Sequence, residues 1–176
     1  MGDLTPEKLV QLEEEQEKQD EKNPRAATLA NQIVASLNIL WTKLHQYHWY
    51  VKGPQFITLH EKFEQLYDEV TEWYDEIAET LLAMGDKPAS TTEKNLKYSL
   101  IKEDEADKYR TCEEMVANVV KDFRTLQDVA LKAIDMAEDD NEVVLADVLT
   151  TFKAFLDKEI WMLQAYLGKE ATEKEE

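Results

Sequence analysis

Histidine and carboxylate side chains stand at helical spacing within one segment of the chain. The three histidines fall within sixteen residues, and a Gly-Pro break separates the last two. His60 and Glu64 are one helical turn apart, and so are Asp75 and Glu79. Imidazole with carboxylate is a ligand set suited to iron, zinc or manganese. The segment therefore predicts a metal site, against the common alternative of an acidic helix face that meets only solvent.

A single chain cannot bring all of these groups to one ion. Glu64 and Asp75 are eleven residues apart, which is about 16 Å along a helix axis. Two copies of the helix packed antiparallel about a two-fold axis would place His60 and Glu64 opposite the partner's Asp75 and Glu79. His48, just before the break, would aim at the same interface. No histidine has Glu three residues before it, so the Glu-x-x-His site of intrachain di-iron bundles is not encoded.

Four periodic apolar runs predict the helices that position these residues. Their boundaries are cap and turn signals: Asn23-Pro24, Gly53-Pro54, Gly85, Thr111-x-x-Glu114, Glu138 to Asn141, and Gly168. Between the second and third runs, residues 86–110 form a long connection, in which Ser90-x-x-Glu93 predicts a short helix. The predicted fold is all-α, a ferritin-like four-helix bundle with a short helix in the long crossover between its second and third helices.

Both ends of the chain differ in composition from this bundle. Thr5-Pro6-Glu7 predicts the start of a highly charged helix over residues 5–22. We therefore divide the chain into a charged N-terminal extension, partly helical or mobile, at 1–23, the bundle at 24–168, and an acidic C-terminal tail at 169–176.

The net charge and cysteine content exclude several classes of protein. A formal charge of −18 repels DNA phosphates and anionic lipid, and it attracts metal cations. The lone Cys112 excludes an internal disulfide and a cysteine-based zinc site. Neither a secretory signal nor a run of roughly 20 apolar residues is present. We expect a soluble, cytoplasmic protein with no membrane partner.

One set of residues resembles the signature of the Dps proteins, the mini-ferritins of bacteria: His48-Trp49, Gly53, Phe56, His60, Glu64, Asp75 and Ala78-Glu79. The resemblance implies a homo-oligomer, a hollow dodecamer with ferroxidase sites at its two-fold interfaces. Fe(II) would be oxidised there, typically by hydrogen peroxide and otherwise by O2, and stored as ferric mineral to limit oxidative stress. Zinc or manganese are possible surrogates for the iron.

The resemblance also assigns roles to individual residues. His48 and His60 would bind iron from one subunit, and Asp75 and Glu79 from its neighbour, as metal ligands and catalytic groups. Glu64 stands where the family often has Asp; it is still an oxygen ligand, although its extra methylene could alter the metal–metal spacing.

Several other residues have two interpretations each. Trp49 takes up oxidising equivalents or simply packs at the interface, and His45 is an ordinary surface or interface histidine rather than an extra ligand. Acidic residues on the polar side of the second bundle helix are candidates for mineral nucleation: Glu61, Asp68 and Glu72. Acidic residues expected to begin the fourth bundle helix either line an iron-uptake pore or cap that helix: Asp139, Asp140 and Asp147.

Two competing functions remain open at this point. DNA condensation through the N-terminal extension would need a basic cluster, but residues 1–23 hold eight acidic and three basic residues. Direct DNA binding is therefore not expected, although Lys8, Lys18, Lys22 and Arg25 leave a local contact possible. The other alternative is a non-enzymatic helical assembly protein whose polar stripe faces solvent.

Overall fold

The computed structural model describes residues 5–173, which form six α-helices and one short 3-10 helix. They are α1 (Pro6–Lys22), α2 (Ala26–Tyr50), α3 (Phe56–Ala83), α4 (Thr92–Tyr98), the 3-10 helix (Glu105–Tyr109), α5 (Cys112–Asp139) and α6 (Val143–Tyr166). The α2–α3 and α5–α6 hairpins pack on each other through α2 with α5 and α3 with α6. The predicted all-α four-helix bundle is confirmed. Its crossover carries α4 as expected, and the 3-10 helix in addition.

The bundle is held together by the apolar faces that the periodicity predicted. On α3 the buried side chains recur every three, four or seven residues and include Leu59, Phe63, Leu66, Val70 and Ile77. Each such side chain contributes about 1.5–3 kcal/mol when it is removed from water. The opposite face of α3, which carries the candidate ligands, is thereby turned away from the core.

A buried ion pair joins α2 to α5 within this apolar core. Lys43 Nζ lies 2.7 Å from Asp122 Oδ2 and donates to the Lys102 carbonyl oxygen at 3.2 Å. Both charged side chains are nearly inaccessible to solvent, at 6% and 12% exposure. The pair therefore fixes the crossover to the bundle as well as α2 to α5.

Several predicted helix ends are confirmed. The Thr5 side chain caps α1, and Thr111 with Glu114 forms a capping box at the start of α5. Gly85 and Gly168 follow the last turns of α3 and α6 with φ values of 90° and 71°. Only glycine adopts this left-handed conformation without steric cost, which explains its place after a helix.

Two predicted helix starts are wrong. Asn23 does not begin α2 but ends α1, since its N–H donates to the Gln19 carbonyl; Pro24 keeps Asn23 out of the helical region. The cap of α2 is Arg25, whose N–H donates to the Thr28 hydroxyl at 3.0 Å. The start of α4 is also shifted, because Thr91 rather than Ser90 caps it by accepting from Lys94 N.

The acidic turn between α5 and α6 also differs from the prediction. Asp139 is the last residue of α5 and Asp140 is its C-cap, so neither begins α6; only Asp147 lies on that helix. The chain turns at Asn141, the last residue of the predicted turn, which adopts φ 61°. Asparagine adopts this left-handed conformation more readily than most other residues that have a side chain. The dipole argument for Asp139 and Asp140 at a helix start is therefore wrong.

The predicted N-terminal helix is confirmed, and it is docked on the bundle by charge. No residue of α1 is buried. Instead its Glu17 carboxylate contacts Lys94 and accepts from the Tyr98 hydroxyl at 2.6 Å, both on α4. Whether residues 1–23 act as a separate unit stays a prediction. Over residues 5–173, we find no helix with the length and apolar content required to span a bilayer.

Candidate metal centre

Two imidazoles face each other across the α2–α3 hairpin. His48 lies in the last turn of α2, His60 lies in the second turn of α3, and the connection between the helices turns at Gly53, where φ is 108°. His48 Nδ1 lies 2.8 Å from the His60 carbonyl oxygen, and His60 Nδ1 lies 2.8 Å from the His48 carbonyl oxygen. This reciprocal pairing fixes both rings to the opposite helix.

The reciprocal hydrogen bonds also select the tautomer of both histidines. A carbonyl oxygen only accepts, so each Nδ1 must carry the proton and donate it. Each Nε2 of a neutral ring is left with a free lone pair, which is the form that binds a metal ion. The rings stack with centroids 3.7 Å apart and planes 17° from parallel.

Glu64 completes a three-ligand cluster with these histidines. One ligand atom from each of His48, His60 and Glu64 lies within 4.8 Å of the other two. His48 is buried at 9% exposure, His60 is half-buried and Glu64 is exposed. Two imidazole nitrogens and one carboxylate oxygen form a mixed donor set that suits Fe(II), Zn(II) or Mn(II). The cluster can therefore supply part of a binding site for such an ion, here called the half-site, and it is exposed to solvent at Glu64.

Asp75 and Glu79 lie further along α3 and do not join the cluster within one chain. Both side chains are exposed, and within the described residues neither makes an ion pair or a side-chain hydrogen bond. The α-helical rise places Asp75 about 16 Å and Glu79 about 22 Å from Glu64 along the helix axis. The structure thus brings together three of the five predicted ligands and leaves the other two on the same face of α3.

The surroundings of the cluster are aromatic. The His45 ring, whose Nδ1 donates to the Trp41 carbonyl oxygen at 2.8 Å, stacks on Tyr67 at 3.9 Å. Tyr67 in turn meets His48 edge-on at 5.4 Å. Trp49 lies 5.5 Å from His45 and is 67% exposed. His45 is not one of the clustered groups among residues 5–173, and its role as an ordinary histidine stays a prediction.

Tyr67 also borders this cluster, although it was not predicted from the sequence. It stands three residues after Glu64 on α3, which is the available signal in the sequence. Partial burial raises the pKa of the Tyr67 phenol, and the negative charges of Glu64 and Asp68 raise it further. The phenol is therefore protonated at neutral pH and able to donate.

The predicted nucleation residues are not gathered in one place on the single chain. Glu72 lines a groove between α3 and α6 together with Glu69, Glu76 and Asp147. Glu61 lines a different groove, beside Lys62. The acidic α3–α6 groove therefore contains one of the three residues proposed from the sequence, and it adds Asp147 from α6.

The sequence and fold match known proteins over most of their length. The ferritin-like domain family matches residues 27–172. DNA protection during starvation protein 2 of Bacillus anthracis is 42% identical over 147 residues, covering 84% of this chain and 99% of that protein. The X-ray structure of Dps from Listeria monocytogenes is 38% identical and has a TM-score of 0.82, covering 85% of this chain and 97% of that one.

The chain belongs to the Dps family of ferritin-like proteins. A further Dps structure, from Listeria innocua and soaked with 10 mM zinc, is 38% identical with a TM-score of 0.80; it covers 84% of this chain and 99% of that one. The ferritin-like match begins at residue 27, after α1 has ended at Lys22. Helix α1 is thus an addition outside the matched Dps bundle.

Proposed function

We propose that this Dps-family chain is a ferroxidase and iron-storage protein that limits oxidative stress in the cytoplasm. The observation that carries the proposal is the half-site of His48, His60 and Glu64, with Asp75 and Glu79 exposed on the same helix face and without an ion pair among residues 5–173. Fe(II) is the substrate, and zinc or manganese would occupy the same ligands as surrogates. The zinc-soaked relative is a protein of the same family exposed to such a surrogate.

The missing ligands come from a second subunit in this proposal. Two α3 helices that pack antiparallel about a two-fold axis place Asp75 and Glu79 of each chain at the half-site of the other. One dimer then holds two equivalent sites, and six dimers form the hollow dodecamer that stores the ferric mineral. Exposed carboxylates of the α3–α6 groove are candidates for nucleating that mineral.

The ligand types explain the direction of the chemistry. Carboxylate oxygens stabilise Fe(III) over Fe(II) and so favour loss of an electron. Two Fe(II) ions and one hydrogen peroxide, with two protons, give two Fe(III) ions and two water molecules. A site that holds two irons about 3.5–4 Å apart supplies both electrons to one peroxide and avoids release of hydroxyl radical.

Stopped-flow spectroscopy tests the proposed reaction. The assembled, metal-free protein receives anaerobic Fe(II) and then peroxide or O2, and the ferric band is followed with a spin trap present. We expect rapid oxidation, faster with peroxide, a soluble ferric product and little radical. Oxidation no faster than in buffer would reject the ferroxidase proposal and favour a non-enzymatic assembly protein. The Asp75→Asn variant is the control that keeps the shape of the side chain and loses its charge.

Protection of DNA, which the relatives' names state, is assigned here to iron chemistry rather than to DNA contact. The chain carries a net charge of −18, and α1 contributes carboxylates that already pair with Lys94 and Lys97. Phosphate binding needs free basic groups that displace counterions. A gel shift at low salt without divalent metal should therefore show no retarded DNA, while retardation that depends on the N-terminal extension would support the DNA-binding alternative.

A further inference from the structure

Of the three clustered ligands, only Glu64 lacks a hydrogen bond that holds it in place. His48 and His60 are each fixed by the bond from Nδ1 to the opposite carbonyl. Glu64 is exposed, and no side-chain hydrogen bond of ordinary length or ion pair fixes it among residues 5–173. A free glutamate loses rotamer entropy when it is immobilised. A group that restrains Glu64 beforehand would remove part of that cost from metal binding.

Tyr67 is placed to supply this restraint. Its ring stacks on His45 at 3.9 Å with the planes 23° apart, and it meets His48 at 90°. Contacts on a face and an edge leave the ring little freedom. Tyr67 also follows Glu64 by three residues on α3, the spacing at which side chains are neighbours on a helix. The phenol oxygen is therefore held on the same side of α3 as the Glu64 carboxylate.

We propose that Tyr67 is a positioning residue whose hydroxyl donates to one oxygen of Glu64 and leaves the other oxygen for the metal. An ionised carboxylate accepts through both oxygens, so the two interactions do not compete. A phenol carries its proton at neutral pH and can donate it. Hydrogen bonds of this kind to a ligating carboxylate orient it and raise metal affinity.

This role rests on the proposed metal site and goes one step beyond it. In this role the hydroxyl of Tyr67 affects metal binding, whereas in a packing role only its ring would do so. Tyr67→Phe separates the two, because phenylalanine keeps the contacts to His45 and His48 and loses only the donor. Tyr166→Phe is the matched control: Tyr166 is a half-buried tyrosine on α6 that lines a separate groove with Thr58 and Lys62.

The test uses Co(II) as the probe on the assembled, metal-free protein, with affinity and coordination read from visible absorption. We expect Tyr67→Phe to bind Co(II) about 10-fold more weakly and with an altered spectrum, and Tyr166→Phe to match the wild type. In a Glu64→Ala background, Tyr67→Phe should cause no further loss, because the two groups act as one unit.

Each other result overturns the inference in a distinguishable way. An unchanged affinity for Tyr67→Phe would show that the hydroxyl does not hold Glu64, with the metal site intact. An equal loss with and without Glu64 would show that Tyr67 acts through another group. A wild-type protein that takes up no Co(II) at all would reject the proposed site itself, and the role of Tyr67 with it.

Discussion

At the scale of single residues, the metal half-site is decided by which nitrogen of each histidine is already used. His48 and His60 commit Nδ1 to each other's carbonyl, which leaves Nε2 of each neutral ring free to bind a metal ion. His45 commits Nδ1 to Trp41, and its ring lies on Tyr67 instead. The three histidines of this segment thus divide into two proposed ligands and one packing residue through their backbone contacts.

Replacing His60 and His45 by leucine compares these two classes directly. His60→Leu removes a ligand, so we expect Fe(II) or Co(II) affinity to fall by more than about 100-fold, beyond the range typical of groups around a ligand. His45→Leu keeps an apolar surface for Tyr67 and should stay within about twofold of the wild type. Titration of the assembled protein, with circular dichroism as the check on folding, measures both. Equal losses in the two variants would contradict the division.

The residue scale is also where prediction from sequence was most uneven. His60 and Glu64 were identifiable because one helical turn separates them. His48 was identifiable only as a second imidazole beyond a helix break, and its pairing with the His60 carbonyl needs the hairpin geometry. Tyr67 carried no ligand chemistry of its own, so its place beside His48 emerged only once α2 and α3 were packed together.

At the scale of elements, α1 is attached to the bundle by ion pairs rather than by apolar burial. Three glutamates at four-residue spacing on α1 face Lys94 and Lys97 of α4: Glu13, Glu17 and Glu21. The Lys94 ammonium lies 3.7 Å from Glu13, and the Lys97 ammonium lies 3.6 Å from Glu17 and 3.3 Å from Glu21. Partly exposed pairs of this kind contribute about 0.2–1 kcal/mol each and are screened by salt. The docking of α1 is therefore weak enough to be reversible.

Removing both lysines should release α1. For Lys94→Ala/Lys97→Ala we expect thermolysin to cleave near Leu9 and Leu12 at least about fivefold faster, a difference that corresponds to about 1 kcal/mol. High salt should accelerate cleavage of the wild type and have little further effect on the variant. Lys18→Ala, a change on α1 outside this network, is the control. Equal cleavage of all three proteins would mean that other contacts hold α1.

The same docking has a defined pH dependence. Partial burial raises the pKa of Glu17, but hydrogen bonds from Lys94 and Tyr98 and the lysine charges outweigh it, so the pKa is lowered. A carboxylate with a lowered pKa stabilises the docked form above its usual value of 4.5 and loses that contribution as the pH falls through its folded value. Thermolysin cleaves poorly in acid, so pepsin at about pH 3–4 should detect the release.

The contribution of Asp122, in its buried pair with Lys43, should depend on pH in the opposite direction to that of Glu17. Lys43→Met leaves Asp122 uncompensated, and we expect a loss of about 3 kcal/mol in unfolding free energy. Burial raises the pKa of Asp122 even with Lys43 present. Stability is therefore greater where Asp122 is protonated, and the deficit should shrink as the pH falls from 8 to 5.

Chemical denaturation of Lys43→Met and of Lys43→Met/Asp122→Leu distinguishes charge from packing. The double variant should recover most of the loss, because an apolar pair of similar volume needs no compensation. A double variant as unstable as the single one would show instead that the bond from Lys43 to the Lys102 carbonyl, which holds the crossover, is the larger contribution.

Element types were predictable here and some element ends were not. The periodic apolar runs indicated all four bundle helices because each buries one face against the others. Thr111 and Glu114 were identified because a capping box is a local interaction. Asn23 was misassigned because a residue that suits a helix start can also stand at a helix end. Ser90 was misassigned because the next residue, Thr91, also suits an N-cap and takes that position. The 3-10 helix had no periodicity to reveal it.

At the scale of the whole molecule, the decisive property of the proposed site is that each chain holds only part of it. Antiparallel pairing predicts that His60 of one subunit works with Asp75 of the other. The His60→Leu protein and the Asp75→Asn protein should each be inactive alone, since every site in a uniform assembly carries the lesion. A mixed dimer is different: one of its sites carries both lesions and the other carries none.

Mixing the two inactive variants should therefore restore iron oxidation. Random pairing of equal amounts makes half of the dimers mixed, and half of the sites in those dimers are intact, so about a quarter of wild-type activity should return. Co-expression with two different tags isolates the mixed assemblies, and the stopped-flow rate per chain measures recovery. The control mixes His60→Leu with Glu64→Ala, two lesions in the same half-site, where no intact site is produced by any pairing. Recovery only in the first mixture requires ligands from two chains, whereas no recovery in either would confine the catalytic groups to a single chain and reject the two-fold site.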